Sequence, residues 1–386
     1  MRTFDAAVLG LGALGSAVAF QLARRGARVL GLDRFAPPHA MGSSHGQTRI
    51  TRQAIGEGEH LTPFAQRSHD LWHDIEQEAG THVLSACGLL VISSADKTSF
   101  THVEQFFANT VAAARKHGIA HELLDAAAIC RRFPQFRIAD GESGYYEPDA
   151  GFLRPEAAVA AQLDLARRHG AELHADERAI SFAPRREDVL ITTVKNTYVA
   201  KQLVIAAGAW LPALLDDRLA RHFRVFRQQQ FWFAPTDTSF EPRRFPAFIW
   251  ELSGRKQGLY GFPDFDGSGV KVATEQFEVT TTASSAAREV DRAECASMYE
   301  LYVRPFLPQL SAQCTRASAC LYTVTADFGF VIDRHPGCDR VLIASCCSGH
   351  GFKHSPALGE AIAELVLDGR SRMDLARFSL ARLCAA

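Results

Sequence analysis

The stretch Val8-Leu9-Gly10-Leu11-Gly12-Ala13-Leu14-Gly15 decides how the chain begins. Ala6 to Leu9 is an apolar run that reads as a buried strand, and the glycines hold the first, third and sixth places of G-x-G-x-x-G. Ser16–Arg25 then carries Val18, Leu22 and several alanines on one side, the pattern of a packed helix. A second apolar run, Val29-Leu30-Gly31-Leu32, ends in Asp33. Gly10 allows the tight strand-to-helix turn, Gly12 lets the backbone approach a pyrophosphate, and Gly15 lets the helix lie close on the strand. Unpaired amides at the helix start, here those of Ala13 and Leu14, face the phosphates. An acid at the tip of the second strand accepts hydrogen bonds from ribose hydroxyls. The unit predicts dinucleotide binding and leaves nicotinamide and flavin both open.

The chain has 386 residues, 47% hydrophobic and 22% charged, with a formal net charge of -1. That is enough for two domains with substantial cores. The near-neutral balance argues against nucleic acid or an anionic membrane as partner. No apolar run is long enough to span a bilayer, and the chain enters a strand at once, which argues against a cleaved signal peptide. A cytoplasmic protein is the expectation. The nine cysteines are scattered without a C-x-x-C pair, so neither a zinc site nor a redox dithiol is indicated. No metal is expected.

After Asp33 and Arg34 the turn Pro37-Pro38-His39 leads into Gly42-Ser43-Ser44-His45-Gly46-Gln47-Thr48-Arg49-Ile50-Thr51-Arg52, too polar for a core. Its basic residues follow a nucleotide-binding unit directly, where a ligand pocket lies. Helices are predicted at Thr62–Glu78, Val103–His117, Ala126–Phe133 and Pro155–Arg168, and a turn at 145–152. Strands follow at Ala171–His174, Ala179–Pro184, Val189–Thr193 and Val199–Ala206, the last closing on Ala207-Gly208-Ala209-Trp210. Such a β-meander suits an FAD-binding variant of the Rossmann-like fold. Phe223–Phe233, Phe248–Leu252, Leu259–Phe262 and Val270–Ala273 read as an antiparallel sheet, and Arg288–Pro308 as a helix. A final strand, Val341–Ser345, precedes Gly349-His350-Gly351-Phe352-Lys353 and a helix from about Pro356. The fold class is therefore α/β: a discontinuous FAD-binding domain (1–85, 150–218 and 320–386) with an antiparallel-sheet (α+β) substrate domain (86–149 and 219–319).

Taken together, 37–52, Gly56-Glu57-Gly58, Tyr260-Gly261-Phe262-Pro263 with Lys271, Ala319-Cys320-Leu321-Tyr322-Thr323 and Ser348–Lys353 resemble the sarcosine oxidase and N-methyltryptophan oxidase family of flavoproteins. The resemblance spans essentially the whole chain. It implies that Cys320 carries FAD covalently through a thioether to the 8α-methyl group. It implies that Lys271 lies beside flavin N5 and helps reduced flavin react with O2, a fixed charge stabilising superoxide as it forms. Arg52 and Lys353 are implied to bind a substrate carboxylate, since a buried anion needs compensating charge. Arg49 and His45 would place positive charge near the flavin ring, Tyr260 would stand near the substrate amine, and Ile249 in the pocket wall. Ser43, Ser44, Thr48, Ala179, Ala207, Gly208, Trp210, Gly349, His350 and Gly351 complete the implied cofactor contacts, Ala179 through its backbone.

Glu275 stands where this family has a histidine four residues after the lysine, and Gln53, Ile55 and Ser44 also depart from its pattern. The flavin chemistry is left intact by these changes; the identity of the amine is not. The expectation is a monomeric FAD-dependent oxidase of a carboxylated secondary amine, with O2 as acceptor and H2O2 as product. A fructosyl-amino-acid or pipecolate/proline-type oxidase is an alternative within the class. An FAD dehydrogenase with another acceptor and a nicotinamide enzyme are alternatives outside it.

Overall fold

The computed structural model describes residues 3–384, apart from the side chain of Cys384. An eight-stranded sheet forms around Thr3–Leu9, which pairs in parallel with Val29–Leu32 on one side and Thr197–Ile205 on the other. The register sets Leu9 opposite both Leu32 and Ile205, so three strand ends, and the turns that follow them, meet at one edge. Glu172–His174 extends the sheet beyond Val29–Leu32. Beyond Thr197–Ile205 lie the antiparallel strands Val189–Thr193 and Ala179–Pro184, and the parallel strand Cys338–Ser345.

The sheet is covered on one face by the helices Ala13–Ala23, Pro155–Arg168 and Ser355–Asp368. Ala13–Ala23 is buried on nearly every side, with Ser16, Val18, Phe20 and Leu22 buried together. That is the signature of a helix packed on several sides rather than half-exposed. A Cβ on Gly359 would come within 2.6 Å of the Ala17 Cβ, so glycine there permits the close crossing of the first and last long helices.

A nine-stranded sheet runs in the order Thr280–Thr281, Arg224–Pro235, Val270–Ala273, Leu259–Phe262, Ala247–Glu251, Leu89–Ser93, Ser143–Glu147 and Glu122–Asp125, with Leu310–Val324 paired to Arg224–Pro235. It is antiparallel except where Leu89–Ser93 lies parallel to Ala247–Glu251. Its core is aromatic: Phe136, Phe245, Phe248 and Trp250 pack edge-on and stacked at 4.8–5.8 Å. A three-stranded sheet, Arg49–Thr51, Leu84–Ser85 and Gly151–Leu153, completes the sheets.

Several expectations shift. The predicted turn at 145–152 is strand, turn and strand, because Ser143–Glu147 pairs with Leu89–Ser93 and Glu122–Asp125 while Gly151–Leu153 pairs with Arg49–Thr51 and Leu84–Ser85. The buried Glu147 carboxylate accepts from the Gln53 and Ala54 amides and the Tyr145 hydroxyl. The helix expected from Arg288 starts at Arg292, where Asp291 and Glu294 form a capping box, and contains a π turn at Tyr299–Val303. The boundary placed between 319 and 320 falls inside Leu310–Val324. That strand was not predicted, because its first half (Ser311, Gln313, Thr315, Arg316, Ser318) is polar and masks the alternation. The eight cysteines with described side chains are free thiols, and no helix among the described residues is long and apolar enough to cross a membrane.

Candidate active site

The turn after Thr3–Leu9 needs its glycines for steric reasons. Gly10 has φ +88°, and a Cβ there would lie 2.5 Å from the Ala206 carbonyl oxygen. A Cβ on Gly15 would overlap the Gly10 carbonyl oxygen, whereas one on Gly12 would meet only Ser44 Oγ, at 3.3 Å, and would fill the cleft itself. The Ala13 amide donates to Ser44 Oγ (3.1 Å). Asp33 accepts from the Leu11 amide (2.7 Å) and the Phe35 amide (2.9 Å), so it also braces the turn.

A cleft of about 270 Å³ starts at this turn. Gly10, Gly12, Ala13, Leu14, Asp33 and Arg34 line one end, with Ala179, Ala207, Gly208 and Trp210 beside them. Ser43, Ser44, Arg49, Gly349 and Gly351 line its further course. This donor set fits FAD: free space over a glycine turn for a pyrophosphate, an acid at the second strand tip for ribose, and an apolar recess for adenine. Thr48, Cys320 and His350, also expected at the cofactor, are not in this wall, nor is Lys353. Gly15 is absent from it too and serves helix packing, as its place in the motif implies.

A second cavity, of about 90 Å³, adjoins the cleft through shared wall residues Arg49, Tyr322, Gly349 and Phe352. Arg52, Lys353, Lys271, Tyr260, Ile249 and Glu275 all face it, as do Thr48 and His350. Three adjacent elements supply much of it. Ile249 and Tyr260 are cross-strand partners, and Lys271 is the partner of Phe262 on the next strand.

The charges in this cavity are held either by a partner charge or by backbone carbonyls. Arg52 is 2% exposed, grips both oxygens of Glu57 (2.8 and 2.7 Å), donates to the Ala54 carbonyl and lies over the Phe106 ring. Its Nε has no partner. Burial would raise the Glu57 carboxyl, but Arg52, then Lys353, hold it well below the usual range. The Lys353 ammonium donates to the His350 carbonyl (2.6 Å). Burial drives its pKa down to about 7, against the attraction of Glu57.

Lys271 donates to the carbonyls of Gly46 (2.7 Å) and Thr48 (3.1 Å) and sits over the Phe262 and Trp232 rings. Burial and then Arg49 push its pKa well below the ordinary lysine value. Arg49 is held by the carbonyls of Thr48 (2.7 Å) and Ser43 (2.6 Å). Burial, then Glu275, raises the Tyr260 pKa, so its hydroxyl stays protonated.

Two expectations need correcting. His45 lines neither cavity; it is buried, and desolvation with Arg49 and Lys271 lowers its pKa to about 3, so it is neutral rather than cationic. His350 lies in the small cavity instead of the long cleft, and burial brings it to about 3 as well. Cys320 is fully buried, with Gln230 Nε2 3.1 Å from its sulfur. Glu57, His102 and Tyr322 complete the cavity without having been assigned a role. An acid five residues from Arg52 was a usable signal for Glu57. Nothing local to the sequence marks His102, which comes from a loop.

Two sheets, a glycine-turn cleft between them and a small pocket of buried charges at its side define a class: enzymes that hold a dinucleotide cofactor and present it to a small charged substrate. The chain belongs to the FAD dependent oxidoreductase family, which it matches over residues 5–365. It is 41% identical to the monomeric sarcosine oxidase of Streptomyces avermitilis across 100% of this chain and 99% of that protein. To the N-methyl-L-tryptophan oxidase of Salmonella dublin it is 32% identical, across 98% and 99%. Among solved structures, NikD, an unusual amino acid oxidase essential for nikkomycin biosynthesis, superposes with TM-score 0.84 at 25% identity, covering 98% of each chain. The glycine oxidase of Geobacillus kaustophilus shares the fold, with TM-score 0.79 at 19% identity over 99% of each chain.

Proposed function

We propose that the protein is an oxidase of secondary amines that carry a carboxylate, N-methyl amino acids foremost. The convergence of Arg52, Lys353 and Lys271 on one buried cavity beside the cofactor cleft carries this reading. FAD held in the cleft would supply the two-electron oxidation of the carbon next to nitrogen, with O2 as the final acceptor. The protein's part is to bind, orient and hold charge. Arg52, through its free Nε, and Lys353 draw the substrate carboxylate into the cavity. Their burial excludes competing water, which strengthens each charge contact. Tyr260 and Ile249 then fix the amine end, and Lys271 holds positive charge where oxygen is reduced. The released imine hydrolyses in water.

Cys320 is the residue proposed to carry the cofactor covalently. It lies on the same face of its strand as Tyr322, two residues on, and Tyr322 lines both cavities. The Lys271 and Arg288 side chains lie within electrostatic reach of its sulfur. Peroxide formation under air across sarcosine, N-methyltryptophan, pipecolate and fructosyl-glycine tests the reading. Turnover of at least one of the first two is expected, and turnover of fructosyl-glycine alone would replace N-methyl amino acids by sugar-modified ones.

A further inference from the structure

The small cavity shares three wall residues, Glu57, His102 and His350, with a third cavity of about 320 Å³. That outer space has a wall of mixed polarity, with His60, Asp327 and Arg382 among its polar residues, and reaches exposed residues such as Arg377. A partition of three titratable side chains thus separates a buried substrate pocket from a route outward.

His102 is built to bridge it. Its Nε2 lies 3.1 Å from Glu275 Oε2 and its Nδ1 3.9 Å from Glu57 Oε1, two ion-pair contacts that a small turn of the ring would convert to hydrogen bonds in sequence. The Phe277 and Phe328 rings clamp the imidazole at 5.8 and 5.5 Å. Its backbone sits in the left-handed region, φ +52°, a conformation that a non-glycine residue keeps only when its surroundings impose it. The ionisable groups facing it are Glu275, Glu57, Lys353 and His350.

A secondary amine reaches the enzyme near neutral pH as an ammonium ion, and its carbon cannot release hydride until the nitrogen lone pair is free. The proton therefore needs an acceptor inside the cavity. Arg52 is a donor, the Lys353 and Lys271 nitrogens are turned to backbone carbonyls, Glu57 is locked to Arg52, and His350 is a poor base. Glu275 is the remaining anion.

Resting on the proposed amine oxidation, we propose that Glu275 and His102 form a proton relay between the substrate nitrogen and the outer cavity. The ammonium N–H bond breaks, its electron pair stays on nitrogen, and the proton bonds to a Glu275 carboxylate oxygen. His102 passes the charge on, one proton leaving past Glu57 for each one taken from substrate. Burial opposes a cationic His102, but Glu275 and then Glu57 more than offset it and hold its pKa above the ordinary value, as a charge-carrying relay needs.

The test is anaerobic flavin bleaching by the best amine, followed from pH 6 to pH 10 in the unaltered holoenzyme and in His102→Gln and Glu275→Gln. Each variant should bleach at least roughly tenfold more slowly at pH 7. The deficit should shrink as pH approaches the amine's own pKa, where the substrate arrives deprotonated, and added imidazole should restore part of the His102→Gln rate through the outer cavity. Deficits that are equal at every pH and blind to imidazole would mean a merely structural role and overturn the relay, as would unaltered rates. Failure of the unaltered enzyme to bleach with any amine would overturn the amine-oxidase reading, and the relay with it.

Discussion

The long cleft and the small cavity beside it are built on opposite principles. The cleft is made largely of backbone and small side chains: a turn whose glycines admit no Cβ, helix-end amides, and strand ends brought level by the sheet register. The cavity is made of long side chains gathered from distant segments, held by another charge or by backbone carbonyls: Arg52 by Glu57, Lys353 by Glu57 and Glu275, His102 by Glu275, and Lys271 by the Gly46 and Thr48 carbonyls. A backbone site tolerates little change in shape but is indifferent to pH. A site of buried charges depends on its protonation state and on what else is bound. The two regions should therefore fail differently.

The largest effect belongs to the cleft. Gly15→Val places side-chain atoms on the Gly10 carbonyl, and neither backbone can yield. The purified variant should carry no flavin absorbance; a yellow, full-length Gly15→Val protein would show the turn to be more pliable than its contacts imply. Next comes the proposed covalent link. After acid precipitation the unaltered protein should keep its colour in the pellet, and Cys320→Ala should release all of it to the supernatant. Colour retained by Cys320→Ala would move the attachment elsewhere.

In the cavity the effects are graded. Lys271→Met should slow reoxidation by O2 by roughly 100-fold, the cost of removing one preorganised charge, while flavin reduction by substrate changes far less; stopped-flow measurement of the two half-reactions separates them. Equal slowing of both would assign Lys271 a general structural role. Arg52→Ala should raise KM for carboxylated amines by roughly 10- to 100-fold, since a hydrogen bond to a charged partner is worth about 1.5–3 kcal/mol. An unchanged KM would place the carboxylate elsewhere.

How much of this was legible in the sequence follows the same division. Gly10, Gly12, Gly15 and Asp33 announce themselves because a backbone site needs particular residues at fixed local spacing. Strands such as Leu259–Phe262 and Val270–Ala273 match the structure residue for residue, their apolar runs being bounded by clear turns. The cavity is different. Arg52, Lys271 and Lys353 lie more than 80 residues apart along the chain, and only a family resemblance grouped them. The charge state of His45 was misjudged because burial beside two cations cannot be seen from its neighbours in sequence. The polar half of Leu310–Val324 hid a strand whose partner, Arg224–Pro235, holds it in place, and His102 left no local trace at all.

The smallest effect separates the two regions most cleanly, because only the cavity should respond to mild pH. Lys353 has its pKa brought down to about 7 by burial. Below that value it is an ammonium ion able to hold a carboxylate; above it, the amine is neutral and offers only a hydrogen bond. Carboxylate binding should therefore weaken as pH rises through 7. Between pH 6 and pH 8 the protonated fraction falls roughly tenfold, and KM for a carboxylated amine should rise by up to about that factor. A rising pH also frees more unprotonated amine, so KM alone mixes two titrations. The Kd of a carboxylate inhibitor without an amine, read from its perturbation of the flavin spectrum, isolates the lysine. That Kd should rise through pH 7 in the unaltered enzyme and stay flat in Lys353→Met, whereas the flavin content of both should not change. A flat Kd in the unaltered enzyme would mean that Arg52 alone holds the carboxylate and that Lys353 serves to balance Glu57.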